Sequence, residues 1–371
     1  METYNVCIIG GGASGLAAAA CIDEDIHVCL LEKNKILGRK IMATGGGRCN
    51  ITNDACASKS ITLDFFNTLG LELYCDSEGR YYPYSNQASD VVSILAGAIS
   101  AKNLNVKKEF HVQTVSFEGG IFVISDGRET ISAENLIIAT GGKAAPAMGS
   151  TGDGYAFARK AGHHIERVYP ILTGIECGDF GDIRGIRARG CVRLFRDGTF
   201  VAEETGEIQF TEDGISGICV FNLTPHIKTE KGETLKDALE RYELIIDLAP
   251  DFSREYIEGR KDSFGIISKK LSQRVDIAHI KSWRLPLLGI KGWKNAQCTA
   301  GGVSTKEINM EIMESKIVPG LYFAGEIIDY QGPCGGFNLQ NAWETGIKAA
   351  RAINMIYGQV KNEIQNKSDK A

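Results

Sequence analysis

Tyr4-Asn5-Val6-Cys7-Ile8-Ile9-Gly10-Gly11-Gly12-Ala13-Ser14-Gly15-Leu16-Ala17-Ala18-Ala19-Ala20 is the stretch that decides the fold. Val6 to Ile9 lacks the polar alternation of a half-exposed strand, which suits a parallel sheet covered on both faces. Glycine follows at once, then small residues with high helix propensity, and a second apolar run at His27–Leu31 completes a βαβ unit. Gly10, Gly12 and Gly15 stand at G-x-G-x-x-G spacing. The first allows the tight turn, the second lets backbone N–H groups approach a pyrophosphate, and the third lets the helix lie close on the strand, while the helix N-terminus favours the anion. Glu32 closes the second strand about 20 residues later, where a carboxylate accepts ribose hydroxyls and disfavours a 2′-phosphate. The expected nucleotide is FAD or NAD rather than NADP.

Outward from this unit, 371 residues allow two or three domains and a substantial core. The 43% hydrophobic and 23% charged fractions are ordinary for a globular chain. A net charge of -5 creates no general attraction for phosphate backbones or anionic lipid. No run approaches the roughly 18 apolar residues of a membrane span, and the start has neither a basic n-region nor a cleavage site. These features predict a cytoplasmic protein with a small-molecule substrate, no nucleic-acid or membrane partner, and no signature of a particular oligomeric state. Eleven cysteines without a CxxC pair argue against a disulfide framework, a zinc ribbon and a disulfide-flavin reductase. His163-His164 has no ligand-spaced partner and adjacent helical residues diverge by about 100°, so no metal is expected.

Phe110–Phe117 and Ile121–Ser125 read as a hairpin, followed by a buried strand at Asn135–Thr140. Past about residue 170 the pattern changes to short strands, turn glycines and charged helical stretches without a phosphate motif. The organisation expected is a discontinuous nucleotide-binding domain over 1–170 and 300–360, with an inserted β-rich domain over 171–225 and part of 226–299. A helical subdomain is expected over about 230–285. Sheet pattern returns at Gly320–Gly325, a helix follows over Gln340–Ile356, and Lys361–Ala371 reads as a frayed tail.

Three further glycine-rich segments favour FAD over NAD, since a dehydrogenase would not need them. Thr44-Gly45-Gly46-Gly47-Arg48-Cys49-Asn50 combines bare backbone N–H groups with an arginine, as contact with a flat polar ring requires. Ala139-Thr140-Gly141-Gly142 ends a strand and suits the adenosine half. Gly325-Glu326, then Gly332-Pro333-Cys334-Gly335-Gly336-Phe337-Asn338-Leu339-Gln340, opens the last helix, whose N-terminus would stabilise negative charge at N1 and O2 of a reduced flavin. Asp329 precedes it within reach of a ribityl hydroxyl. No second G-x-G-x-x-G follows a strand, so either NAD(P)H binds as a transient electron donor, or another donor is used, or the enzyme is an oxidase that reduces O2.

These segments, with Gly38-Arg39-Lys40-Ile41, Gly79–Pro83, Gly149–Gly154, Phe210-Thr211 and Ala300–Val303, resemble the bacterial aminoacetone oxidase family, also labelled NAD(P)/FAD-dependent oxidoreductases, within the two-dinucleotide-binding-domain flavoproteins. The resemblance implies an α/β fold: a Rossmann-like three-layer FAD-binding domain interrupted by a β-rich domain and a small helical piece. The flavin would lie between Gly45–Asn50 and Gly335–Gln340. It further implies cofactor contacts from Ala13, Ser14, Lys33, Arg39, Lys40, Val112 and Asp153. Similar proteins include reductases of conjugated double bonds in oxidised bile acids, which points to reduction of an electron-poor C=C or C=N bond. Amine oxidation by O2, RNA modification and non-catalytic flavin binding are the alternatives. The chain departs from the family in a short connection between Asn53 and Asp64, where a longer helical stretch is expected.

Three residues are catalytic candidates. Arg48 either touches the flavin or a substrate oxygen, or shapes its loop through a salt bridge. Cys49 is either a proton donor or covalent tether, or simple packing. Glu326, after an apolar strand, either caps the flavin site or acts as an acid. Tyr81, Tyr82 and Tyr84 line either a substrate cleft or the core. Arg184, Arg187, Arg189, Arg193 and Arg196 form either a solvated strand face or an attraction for an anionic nicotinamide cofactor.

Overall fold

The computed structural model describes residues 2–102, 104–230 and 232–368. Contacts divide the chain into two units, Met1–Tyr169 with Thr299–Ala371, and Pro170–Cys298.

The first unit is built on the opening strand, Glu2–Ile9. It runs parallel to Val28–Glu32, with Ile9 beside Leu31, and on its other side parallel to Thr130–Ile138, with Ile9 beside Ile138. Leu321–Phe323 adds to that side, Phe323 beside Ile138, and Asn105–Lys108 extends the sheet beyond Val28–Glu32. This register places the carboxyl ends of three strands at one edge. The turns that follow them, Gly10–Gly12, Gly141-Gly142 and Gly325, therefore collect there, where ligands of open α/β sheets bind.

Both faces of the central strands are covered: Val6, Ile8, Leu30 and Ile137 have no exposed surface, each burial contributing about 1.5–3 kcal/mol. The helix Ala13–Cys21 is alanine-rich because another helix crosses it closely. A Cβ on Gly346, in the long helix Phe337–Ser368, would lie 2.2 Å from the Ser14 carbonyl oxygen. That helix begins three residues before the expected Gln340 and continues past Ile356; residues 369–371 of the expected tail lie outside the described residues. The hairpin is Thr114–Glu118 with Ile121–Ser125, and the stretch expected to begin it at Phe110 first follows Glu32, whose carbonyl accepts the Phe110 N–H at 3.0 Å. Between Asn53 and Asp64 the chain turns into the helix Lys59–Thr68.

The second unit is an antiparallel sheet in the order Trp283–Pro286, Tyr242–Asp247, Arg187–Arg196, Thr199–Phe210, Gly214–Ser216, Ile175–Glu176, Gly289–Ile290. Its two terminal strands are joined by Leu287 and Leu288, so the sheet curls until its ends are neighbours. Among the described residues of 230–285 there is no separate helical subdomain. Their helices, Leu235–Leu239, Arg254–Glu258 and Lys269–Ser272, are one turn or little more, and Leu239, Ile257 and Leu271 join Val192, Ile208 and Leu244 in a single core.

The arginine strand here is neutralised. Arg193 meets its cross-strand partner Glu203 at 3.0 Å, Arg187 meets Glu207 at 2.8 Å, and Arg189 meets Asp251 at 2.6 Å. Arg184 and Arg196 pair with Glu212 and Glu230. Of the two readings, the pairs fit the solvated strand face, since each guanidinium already faces a carboxylate.

Candidate functional site

The three motif glycines do different work. Gly10 has φ +112, and a Cβ there would stand 2.4 Å from the Ala139 carbonyl oxygen; a Cβ on Gly15 would stand 1.9 Å from the Gly10 carbonyl oxygen. Both are demanded by the protein's own packing. Gly12 is not: its backbone is extended, φ -89 and ψ -164, and a Cβ there meets nothing within 4 Å. A glycine that the fold does not need, at the start of a helix, fits a site where a pyrophosphate must approach the backbone. Glu32 is buried, with Oε2 accepting the Gly11 N–H at 2.8 Å and Oε1 accepting the Asn34 N–H at 2.7 Å. It fixes the glycine turn; Oε1 also accepts from Asn34 Nδ2 at 2.6 Å, so it is Oε2 that keeps a second lone pair for a ribose hydroxyl.

Next to Glu32, the Lys33 ammonium meets Asp153 at 2.6 Å and donates to the Thr151 hydroxyl. Burial raises the Asp153 carboxyl, but Lys33 and Thr151 outweigh it and hold it below the ordinary carboxylate range. Arg39 donates to Asn34 at 3.1 Å. Val112 is buried in the core just past the Phe110 contact to Glu32. Gly141 lies beside Ser150, whose Oγ is 3.4 Å from where its Cβ would be.

At the other end of the site, Gly45, Gly46 and Gly47 all have positive φ, and Cβ atoms on Gly46 and Gly47 would meet nothing within 4 Å. This turn and the start of the last helix are tied together through the short strand Thr52–Asn53. Thr52 Oγ1 donates to Gln340 Oε1 at 2.6 Å, Asn53 Nδ2 to the Gly335 carbonyl at 2.9 Å, and Trp343 Nε1 to the Ile51 carbonyl at 3.0 Å. Gly336, φ +105, is pressed so close that a Cβ would lie 2.7 Å from the Thr52 carbonyl oxygen and 2.8 Å from Asn50 Oδ1. Asn338 uses its amide to clamp the preceding turn, accepting from Gly332 N at 3.0 Å and donating to the Gly332 carbonyl at 2.9 Å. Its backbone N–H and that of Leu339 remain first-turn donors.

Glu326 is the knot between these halves. Oε2 accepts from Lys40 Nζ at 2.7 Å and Oε1 from the Thr299 N–H at 2.7 Å, while Thr299 Oγ1 accepts the N–H groups of Lys143 and Ala144. Gly142 is obligatory beneath it, a Cβ there lying 2.4 Å from Thr299 Oγ1. Gly325, φ +80, donates its N–H to Thr345 and packs on Ser14, whose Oγ donates to the Ala324 carbonyl. Asp329 continues the same turn, its N–H bonded to the Val303 carbonyl at 3.0 Å. Thr52, Thr299 and Trp343 carry no motif signal and are found only through these contacts.

Cys49 is corrected to a packing residue. It has no exposed surface, and burial pushes its thiol up to about 12, leaving neither access for a tether nor an acid of useful strength. Arg48, exposed, lies over the Tyr82 ring with Cζ 4.4 Å from the centroid. Tyr82 is buried and Tyr84 exposed.

Whether these residues suit FAD can be judged from the buried polar atoms without partners among the described residues. Asn50 Oδ1 and Thr140 Oγ1 are two of them, one between the two glycine turns and the other on the Ala139–Gly142 turn, and a third is the hydroxyl of Tyr155. These unpartnered polar atoms and the open position at Gly12 fit a polar ligand such as FAD.

Comparison with known proteins agrees. A family model described as the HI0933-like protein Rossmann domain matches residues 4–62 and 57–352. A 3-dehydro-bile acid delta(4,6)-reductase of Clostridium scindens is 34% identical over 402 residues, covering 93% of this chain and 98% of that protein. A ribosomal RNA dihydrouridine synthase of Escherichia coli is 27% identical, with 95% and 98% covered. Among solved structures, the 3-ketosteroid-delta4-(5alpha)-dehydrogenase of Rhodococcus jostii shares the fold at a TM-score of 0.51 and 13% identity, with 95% and 97% covered.

Proposed function

Because the chain belongs to the HI0933-like Rossmann-domain family and is an FAD-dependent oxidoreductase, we propose that it saturates a C=C bond conjugated to a carbonyl in a small organic acceptor, with electrons from NAD(P)H. FAD, when bound, supplies the two-electron relay between donor and acceptor. The nicotinamide gives up a hydride, and the acceptor gains that hydride at the carbon β to its carbonyl and a proton at the α carbon. The residues around Gly12, Gly45–Gly47, Asn50 and Gly335–Gln340 would hold and orient the cofactor, and the first-turn N–H groups after Gly336 would favour negative charge beside them.

The observation that carries this reading is the bond change shared by two relatives with unlike acceptors. A bile acid delta(4,6)-reductase and a dihydrouridine synthase both carry out saturation of a double bond beside a carbonyl. A small-molecule acceptor is favoured over RNA by the net charge of -5 and by the carboxylate partner on each arginine of the Arg184–Arg196 stretch. Eleven cysteines without a disulfide among them suit the reducing cytoplasm; no described helix is long and apolar enough to cross a membrane.

The test is anaerobic. NADH or NADPH should bleach the visible flavin band of the purified holoenzyme, and a conjugated enone should restore it. A band unmoved by either nicotinamide, with peroxide released from an amine in air, would replace this reading with an amine oxidase.

A further inference from the structure

Arg48 is an exposed arginine with no carboxylate partner among the described residues. Its guanidinium is nevertheless fixed from two sides. Nε donates to the Gly45 carbonyl at 3.3 Å, Nη2 reaches the Tyr82 hydroxyl at 3.5 Å, and the plane rests over the Tyr82 ring at 4.4 Å. Tyr82 is in turn held against the glycine turn, its Cε1 3.3 Å from where a Cβ of Gly45 would be. Burial raises its phenol above the ordinary value in spite of Arg80 and Arg48, so no phenolate neutralises the cation. Of the five N–H donors of a guanidinium, two are used within the protein, and Arg48 is exposed. Next to this platform Tyr74 stacks at a tilt on Tyr82, and Tyr84, 74% exposed, meets Tyr74 edge-on. A cation with spare donors, pre-set on one aromatic ring and flanked by an exposed one, is suited to a partner that is apolar in body and bears an oxygen that gains negative charge.

We propose that Arg48, held on Tyr82 beside the Gly45–Gly47 turn, is the residue that grips the carbonyl oxygen of the acceptor. The proposal rests on the reading of the chain as a reductase of carbonyl-conjugated bonds. As the hydride that originates from NAD(P)H reaches the β carbon, the electron pair of the double bond moves toward the carbonyl oxygen. Arg48 carries that charge until a proton from water completes the α carbon. Tyr82 is a positioning residue, acting through Arg48.

The test uses the oxidised holoenzyme and 4-chlorophenol, whose phenolate imitates the charged oxygen and gives a long-wavelength charge-transfer band when stacked on a flavin. The wild type should develop the band. Arg48→Ala should keep its FAD and bind the phenolate about 10- to 100-fold more weakly, the range of a lost charge-assisted hydrogen bond. Arg48→Lys, which keeps the charge but not the fork or the stacking, should fall between the two, and Tyr82→Phe should weaken the band less than Arg48→Ala. No band in the wild type, equal affinity in Arg48→Ala, or loss of FAD from both Arg48 variants would overturn the proposal. An Arg48-dependent band in a protein that reduces no enone would leave the oxyanion grip standing and refute the proposed reaction instead.

Discussion

Within one motif, Gly10→Ala and Gly12→Val should separate folding from cofactor binding. At Gly10 the new side chain would sit at φ +112 with its Cβ 2.4 Å from a backbone oxygen. Left-handed strain of about 1–3 kcal/mol and overpacking of about 1–3 kcal/mol come together, and at roughly 2–4 °C per kcal/mol for a unit of this size the melting temperature should fall on the order of 10 °C. At Gly12 the backbone is already in the extended region that valine favours, and its Cβ meets nothing. Only the weaker helix N-cap is lost, about 1 kcal/mol.

FAD reverses the ranking of interest. Ligand at about 100 times its Kd stabilises the wild type by about 2.7 kcal/mol, a rise of roughly 5–10 °C. In Gly12→Val the isopropyl group occupies the approach of the pyrophosphate to the turn. Each charge-assisted N–H contact forfeited costs about 1.5–3 kcal/mol, so the rise should vanish at the same FAD concentration. The assay is differential scanning fluorimetry on protein stripped of flavin, with and without FAD, plus flavin content after gel filtration. A Gly12→Val protein that keeps a full complement of flavin, or that melts as low as Gly10→Ala without flavin, would refute the assignment of the open position at Gly12 to the cofactor.

Iodoacetamide at pH 8 should alkylate the exposed Cys75 and leave Cys49 unmodified in the folded protein, because a thiol near 12 with no accessible surface offers almost no thiolate; peptide mass spectrometry reads the sites, and Cys49→Ser should retain its flavin. Thr52→Val should cost about 1–3 kcal/mol by leaving the buried Gln340 oxygen without its donor, measured as a lower urea midpoint, and should weaken FAD binding because the last helix loses a tie at its start. Asp153 has a folded pKa below its unfolded one, so its contribution to stability is present at neutral pH and fades as pH falls below about 3.9 through the lowered folded value. Asp153→Asn should therefore lower the urea midpoint at pH 7 and lower it less at pH 3; an equal loss at both would show that Lys33 is not the cause.

What could be read from the sequence follows from how local the cause is. The opening βαβ unit was legible because apolar run, glycine turn and Glu32 act within about 30 residues, and the register then does the rest: with Ile9 beside Ile138 and Ile138 beside Phe323, turns far apart in the chain must meet. The arginine stretch was ambiguous because its partners, from Glu203 to Asp251, depend on a cross-strand register that no spacing announces. Residues 230–285 read as helical because charged one-turn helices look alike whether they form a domain or cap a sheet. Cys49 shows the same limit at one residue: glycines on one side and Arg48 and Asn50 around it suggest chemistry, but its side chain points to the protein interior, fixed by a left-handed backbone at φ 62 and an N–H bonded to the Thr44 carbonyl. That turn sends neighbouring side chains in opposite senses, Cys49 into the core and Arg48 outward over Tyr82. The motif therefore singled out this turn, whereas which of two adjacent side chains faces outward depended on the backbone conformation of a single residue.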